Sequence, residues 1–196
     1  MLTRILQIIL VLVIALGGGI WSVDKVLDRF GGFGELQVGA WQAFPDAGTA
    51  NADPYARARA ARKAVLALGT AEGLAFYASK DEQGRDLQRG CTYRLEGTTS
   101  PTRFWTLYAA TPDLTTIAPR SGLQAALHSR DVLYKADGSI LITISPDAAS
   151  GNWLPLNGRG PFVLVMTLYD TPIATSAGLT DQSMPKLTLS SRACHG

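Results

Sequence analysis

The chain has 196 residues, with 18 Lys and Arg against 16 Asp and Glu, a formal net charge of +2. That balance argues against electrostatically driven nucleic-acid binding, and 46% hydrophobic with 17% charged residues excludes a disordered chain. With 2 His and 2 Cys, metal ligands are too few for a multi-ligand site, and no cofactor motif is present, so none of either is expected.

After Arg4, the run Ile5–Val23 carries no charge, and Gln7 and Ser22 are its clearly polar members. In a helix, about 19 residues at ~1.5 Å each span roughly 28 Å, close to the ~30 Å hydrocarbon core of a bilayer. Trp21 falls where an interfacial aromatic sits. Residues 1–23 therefore read as one transmembrane anchor, touching lipid through residues 5–23. Arg4 and the amino terminus precede the run, whereas Asp24, Lys25, Asp28 and Arg29 after it cancel. The positive-inside bias then keeps the N-terminus in the cytoplasm. The rest of a single-pass bacterial inner-membrane protein would face the periplasm. A cleaved signal peptide is the competing reading. Arg4, Ile5–Leu16 and the small residues Ala15, Gly17 and Gly19 fit it loosely, but no Ala-x-Ala is present and the apolar run continues through Trp21.

Residues 24–53 read as a stalk or irregular lead-in, punctuated by Gly31, Gly32, Gly34, Gly39, Pro45 and Gly48. Residues 31–34 are no phosphate loop, because no Gly-Lys-Ser/Thr follows. Residues 54–196 read as the exported domain. Asp53 and Pro54 open a helix over Tyr55–Leu68, the Asp capping it and the Pro fitting its first turn. Ala58, Ala61, Val65 and Leu68 form an apolar stripe, and Gly69 ends the helix. Arg57, Arg59, Arg62 and Lys63 make it basic. That is either a solvated face or a contact with anionic lipid headgroups.

From Leu74 the pattern turns to strands. Leu74–Ser79, Cys91–Glu96, Arg103–Ala109, Val132–Ala136, Ser139–Ser145 and Pro161–Tyr169 are expected, with a short helical turn in the quieter Thr111–Leu127. Asp137-Gly138 is a strong hairpin signal between the fourth and fifth. Ile140, Ile142 and Ile144 alternate along one apolar face. In the last strand Phe162, Leu164, Met166 and Leu168 occupy one face and Val163, Val165 and Thr167 the other, so both sides read as buried. The fold class is mainly β (α+β): an antiparallel β-sandwich with one packed helix, preceded by an N-terminal transmembrane helix.

Cys91 and Cys194, the two cysteines of an exported chain, invite a disulfide that would pin the tail onto the body. Two unrelated thiols are the alternative. Zinc spacing is missing, since Cys194 and His195 are adjacent. Asp81, Glu82 and Asp86 lack the oxygen spacing of a calcium loop and read as a solvated hairpin tip.

Several residues in order resemble a bacterial family of undetermined role, the domain of unknown function 1214. They are Phe104-Trp105-Thr106-Leu107, Ser129-Arg130, Lys135 to Ser139, Asn152-Trp153-Leu154-Pro155, and Phe162 to Tyr169 followed by Asp170, Thr171 and Pro172. The likeness covers roughly residues 70–193. It implies a β-sandwich and, as a partner, a protein carrying the domain of unknown function 1254, beside or fused to which relatives occur. It implies no catalytic residues. Family members often carry an Arg two residues before the Tyr of the late strand, where this chain has Thr167.

Two constellations could carry chemistry. His128, Ser129, Arg130 and Asp131 place a base, hydroxyl, guanidinium and carboxylate together, but four consecutive residues cannot all converge as a triad does. Asn152 and Trp153, with Arg130 and Arg159, could line a ligand groove in which the indole stacks on a sugar or other planar molecule. Alternatively Trp153 plugs one end of the sandwich. The leading function is a non-catalytic binding or protein-interaction module. An envelope hydrolase or lyase on a small or carbohydrate-like substrate, using His128, Arg130 and Asp131, is the alternative. The anchor reading predicts the full-length mass in the membrane fraction after alkaline extraction. A soluble form beginning near residue 20 would establish the cleaved signal instead.

Overall fold

The computed structural model of the protein describes residues 2–29, 34–63, 68, 69, 71–172, 182–190 and 194. It begins with helix α1 (Leu2–Arg29). Within it Leu2–Lys25 contains an 18-residue stretch of mean hydropathy 2.3, long and apolar enough to cross a membrane, and none of that stretch is buried by the rest of the chain. Strands β1 (Leu36–Val38) and β2 (Trp41–Ala43), a 3-10 turn (Pro45–Gly48) and helix α2 (Pro54–Lys63) follow. The remaining strands are β3 (Gly73–Ala78), β4 (Tyr93–Gly97), β5 (Phe104–Ala110), β6 (Ala126–His128), β7 (Ile140–Ser145), β8 (Asn152–Pro155), β9 (Val163–Tyr169) and β10 (Lys186–Leu189). They form two sheets, in the orders β1-β2-β3-β9-β5-β6 and β10-β4-β7-β8.

Alternation puts one face of each sheet into a shared core. Trp41, Phe76, Trp105, Leu107, Leu164, Met166 and Leu168 come from the six-stranded sheet, and Tyr93, Leu95, Ile142, Ile144, Leu154 and Leu187 from the four-stranded one. Each fully buried side chain of this size contributes about 1.5–3 kcal/mol. The expected sandwich is therefore present. All strand pairs are antiparallel except β7 with β8, which run parallel with Ile144 opposite Leu154.

The stretch read as an irregular lead-in holds two strands of the larger sheet. Val38 and Trp41 pair across a turn in which Gly39 takes a φ of +59°, and Ala43 pairs with Phe76. Trp41 is fully buried and its Nε1–H donates to the Pro185 carbonyl at 2.8 Å. Three-residue strands are too short to display alternation, so turn signals dominated the reading. β6 escaped for the same reason, and β8 and β10 have only four residues each; Thr111–Leu127 holds no helix and ends in the first residues of β6. Conversely, Val132–Ala136 is no strand. Gly138, at φ +79°, does make the tight turn, with Lys135 N–H bonded to the Ser139 carbonyl. One residue before that arm's single bridge (Tyr134 with Ile140), however, the Leu133 backbone is taken by a side chain: Asn152 Oδ1 accepts its N–H at 2.7 Å and Asn152 Nδ2 donates to its carbonyl at 2.8 Å.

Helix α2 starts as expected. Asp53 Oδ1 accepts the N–H groups of Tyr55 and Ala56 at 2.8 and 3.0 Å, satisfying two donors that a helix start leaves open. Its apolar stripe differs from the expectation: Ala58 and Ala61 are exposed, while Ala56 and Ala60 are half-buried. The helix packs on the 3-10 turn and on α1 rather than on a sheet, and an alanine methyl is too small to dictate which face turns inward. Val65 lies outside the described residues.

The charged tip 80–86 is built around a buried carboxylate. Asp81, with its side chain 1% exposed, accepts the N–H groups of Gln83 and Arg85 and pairs with the Arg85 guanidinium at 2.6–2.7 Å. Burial alone would raise its pKa; these donors outweigh burial and hold the carboxyl below its usual range. Glu82 and Asp86 remain exposed, and no group of three possible metal ligands occurs among the described residues.

Cys91 and Cys194 are joined, with Cα atoms 4.0 Å apart and a separation of 103 positions in sequence. Nearby, Ser190 N–H donates to the Thr92 carbonyl, seating the tail beside β4. Closing a loop of about 100 residues is worth up to ~4.7 kcal/mol in the chain-entropy model. We expect reduction, or the double substitution Cys91→Ser and Cys194→Ser, to lower unfolding free energy by a sizeable part of that amount. Denaturant titration with and without reductant measures it, and coincident curves would contradict it.

Candidate binding face

The outer face of the six-stranded sheet carries the densest group of aromatic side chains. Strand parity sends Tyr77 from β3, Phe104 and Tyr108 from β5, Tyr169 from β9 and His128 from β6 away from the core. Register then sets their neighbours. Tyr77 and Tyr108 flank Val165 on either side, Tyr169 lies opposite both Gly73 and Phe104, and Thr167 lies between Ala75 and Thr106. Outward-facing Val165 and Thr167 are only 1% and 7% exposed. Strand β9 is thus buried on both sides, as its sequence indicated. On that outer side the register sets Tyr77 and Tyr108 beside Val165, and Ala75 and Thr106 beside Thr167.

Phe104 is the centre of the ring contacts at one end of this face. Phe104 lies 5.5 Å from His128 and 5.9 Å from Tyr169, both tilted, and the Arg130 guanidinium stands 5.9 Å from the Phe104 centroid. That is within cation–π range. Arg103 pairs with Asp170 at 2.8 Å on the rim. Burial, and next the charge of Tyr108, pushes the Tyr77 phenol above its ordinary pKa of 10.0. Burial, and next the charge of Tyr169, does the same for Tyr108.

His128, Ser129 and Asp131 do not form a triad. His128 Nε2 meets Asp131 Oδ2 at 3.1 Å, and Nδ1 accepts the Arg130 backbone N–H at 3.3 Å, so both ring nitrogens are occupied. The Ser129 hydroxyl oxygen accepts the Trp105 N–H at 3.3 Å. A triad requires the serine hydroxyl on one ring nitrogen and the carboxylate on the other. His195 lies outside the described residues.

The four residues of the expected groove are placed apart. Arg130 belongs to the aromatic face. Trp153 pairs in register with Thr143, the non-core parity of β7, so it lies on the outer side of the opposite sheet. There it is half-buried and its Nε1–H is shared between the Ser145 carbonyl and hydroxyl at 3.2 and 3.1 Å. Asn152 spends its amide on the backbones of Leu133 and Leu141. Arg159 is exposed in the loop between β8 and β9. The signal that points to the aromatic face is the alternation Phe104, Thr106, Tyr108 against the core residues Trp105, Leu107, Ala109.

The profile of a family described as Protein of unknown function (DUF1214) matches residues 72–173, just over half of the chain. The chain belongs to the DUF1214 family. The matched part of this DUF1214 chain runs from the start of β3 past β9 and contains every ring of the face. Among solved structures, the VPA0106 protein from Vibrio parahaemolyticus shares its fold, with a TM-score of 0.60 at 18% identity over 89% of this chain and 43% of that one. A putative uncharacterized protein from Burkholderia cenocepacia aligns over 92% of this chain and 53% of that one, at 16% identity and a TM-score of 0.43. The match thus takes in about half the length of each. No curated protein matches the chain.

A folded-state phenol pKa above the unfolded one means that the stability from these rings is complete below the unfolded value and is lost as pH rises through the folded value. We expect phenolate absorbance of the folded protein to rise later in an alkaline titration than that of the unfolded chain. The delay shrinks in Tyr77→Phe and in Tyr108→Phe. Superimposed folded and unfolded titrations would contradict the packing described for these rings.

Proposed function

We propose that this DUF1214 chain is a membrane-anchored, non-catalytic binding module whose sandwich faces the periplasm and docks a protein partner through the aromatic face. The observation that carries this reading is the face itself: Tyr77, Phe104, Tyr108 and Tyr169 around a floor of Val165 and Thr167, with Arg130 over Phe104. Tyrosine and arginine are among the side chains that dominate binding energy at protein interfaces: tyrosine offers large area with few rotors and a polar tip, and arginine a planar guanidinium that stacks on rings. Arg130 takes a rim role. The occupied nitrogens of His128 weigh against a hydrolase or lyase acting through His128, Arg130 and Asp131. The internal bonds of Trp153 and Asn152 weigh against a sugar groove.

Export is supported by the Cys91–Cys194 bond, because such bonds persist in oxidising compartments. The anchor is supported by the uncovered apolar surface of Leu2–Lys25, which costs free energy in water and none in lipid. As partner we assign a protein carrying the domain of unknown function 1254, which accompanies relatives of this family.

Co-purification from detergent-solubilised membranes tests the reading. The wild-type chain is expected to bring down a stoichiometric partner of that kind. Phe104→Ala and Tyr108→Ala should each weaken binding by about 2 kcal/mol, roughly 30-fold in Kd, with the disulfide intact. Equal recovery of the partner by both variants would overturn the assignment of the face.

A further inference from the structure

Helix α2 is held at one level along α1. Arg62 Nη2 meets Asp24 Oδ1 at 2.9 Å, and Asp24 is the first residue after the apolar run that ends at Val23. If α1 spans a bilayer, Asp24 stands where hydrocarbon gives way to the headgroup layer, which is about 5–7 Å deep on each side. The ten residues of α2, PYARARAARK, include Arg57, Arg59, Arg62 and Lys63 and no acidic residue. Arg57 is five positions from Arg62, about 7.5 Å along the helix axis. The backbone positions of all four basic residues thus fall within roughly one Debye length, ~8 Å, of the Arg62 level along that axis. Arg57 donates to a neutral group, the Ala50 carbonyl, at 2.6 Å, and among the described residues no carboxylate pairs with it. Below Arg62, a shallow cleft along α1 is lined by Ala15, Leu16, Gly19, Ile20 and Val23.

We infer that α2 is an interfacial cradle for anionic phospholipid. Its cations contact the phosphodiester of the headgroup, and the apolar cleft beside Gly19 accommodates the start of an acyl chain. Asp24 serves to hold Arg62, and with it the helix, at headgroup depth. The inference rests on the anchor reading and is independent of the aromatic face. Charge complementarity selects the occupant: four cations without an acidic residue in ten positions match a phosphodiester surface, at a height that α1 dictates.

The test uses the full-length chain purified in mild detergent and offered equal amounts of phosphatidylglycerol and phosphatidylcholine, with native mass spectrometry counting the retained lipids. The wild type is expected to retain phosphatidylglycerol in preference. The triple variant Arg57→Gln, Arg59→Gln, Lys63→Gln, which leaves the Arg62–Asp24 pair in place, should lose about fivefold of that preference per neutralised charge. A charge-matched control, Arg94→Gln, Arg120→Gln, Lys186→Gln, removes exposed cations elsewhere and should leave the preference unchanged. A photoreactive residue at the exposed Ala58 should cross-link to lipid in phosphatidylglycerol vesicles and do so less in 0.5 M salt, the salt level being a chosen condition of about three times physiological strength. Equal retention of both lipids by the wild type, or an equal loss in the control variant, would overturn the inference. A purified chain whose mass lacks the first 20 or so residues would instead remove the anchor on which it stands.

Discussion

Strand β9 is the constraint on which the sandwich and its outer face both depend. It lies between β3 and β5 in the six-stranded sheet, pairing with both along its whole length. Leu164, Met166 and Leu168 enter the core fully buried, and Val165 and Thr167 on the far side are buried as well. A strand so enclosed tolerates little change of register, because a shift of one residue would send Leu164, Met166 and Leu168 into the ring cluster and Val165 and Thr167 into the core. The aromatic face is therefore as fixed as the core beneath it.

The two ends of the domain are tied to each other and to its middle. Trp41 fills the core from the N-terminal side and donates to the Pro185 carbonyl, just before β10. Ser100 bonds both its N–H and its hydroxyl to the Ser183 carbonyl, and Cys194 is bonded to Cys91. Segments far apart in sequence thus close the sandwich at its edges. The family profile covers the interior of this arrangement, residues 72–173, so the closing pieces β1, β2 and β10 lie outside it. They complete the sheets that present the face.

The candidate site was legible only in fragments. Aromatic enrichment over Phe104–Tyr108 and the two-sided apolar character of Val163–Tyr169 were visible in the sequence. That these two strands are neighbours, so that Tyr169 meets Phe104 and Val165 meets Tyr108, was not, because they are separated by β6, β7 and β8. The residues that looked most like a site by type were spent otherwise. Asn152 replaces a missing strand for Leu133, and His128 is held by its own neighbours. A polar side chain in a list of residues carries no record of which backbone group it will satisfy.

What the sequence determined by itself was what local chemistry controls. An uncharged run of about the right length specifies a membrane-length helix, Asp53 before Pro54 specifies a helix start, and isoleucines at alternate positions specify an inward strand face. Period and capping act over a few residues, so one segment contains all the information. The tertiary structure alone decided which strands adjoin, that three-residue strands near Trp41 belong to the large sheet, and that Arg130 and Trp153 stand on opposite outer faces. Those outcomes come from pairing over long sequence separations, where the free energy of burying one common core chooses among partners that local pattern leaves equivalent.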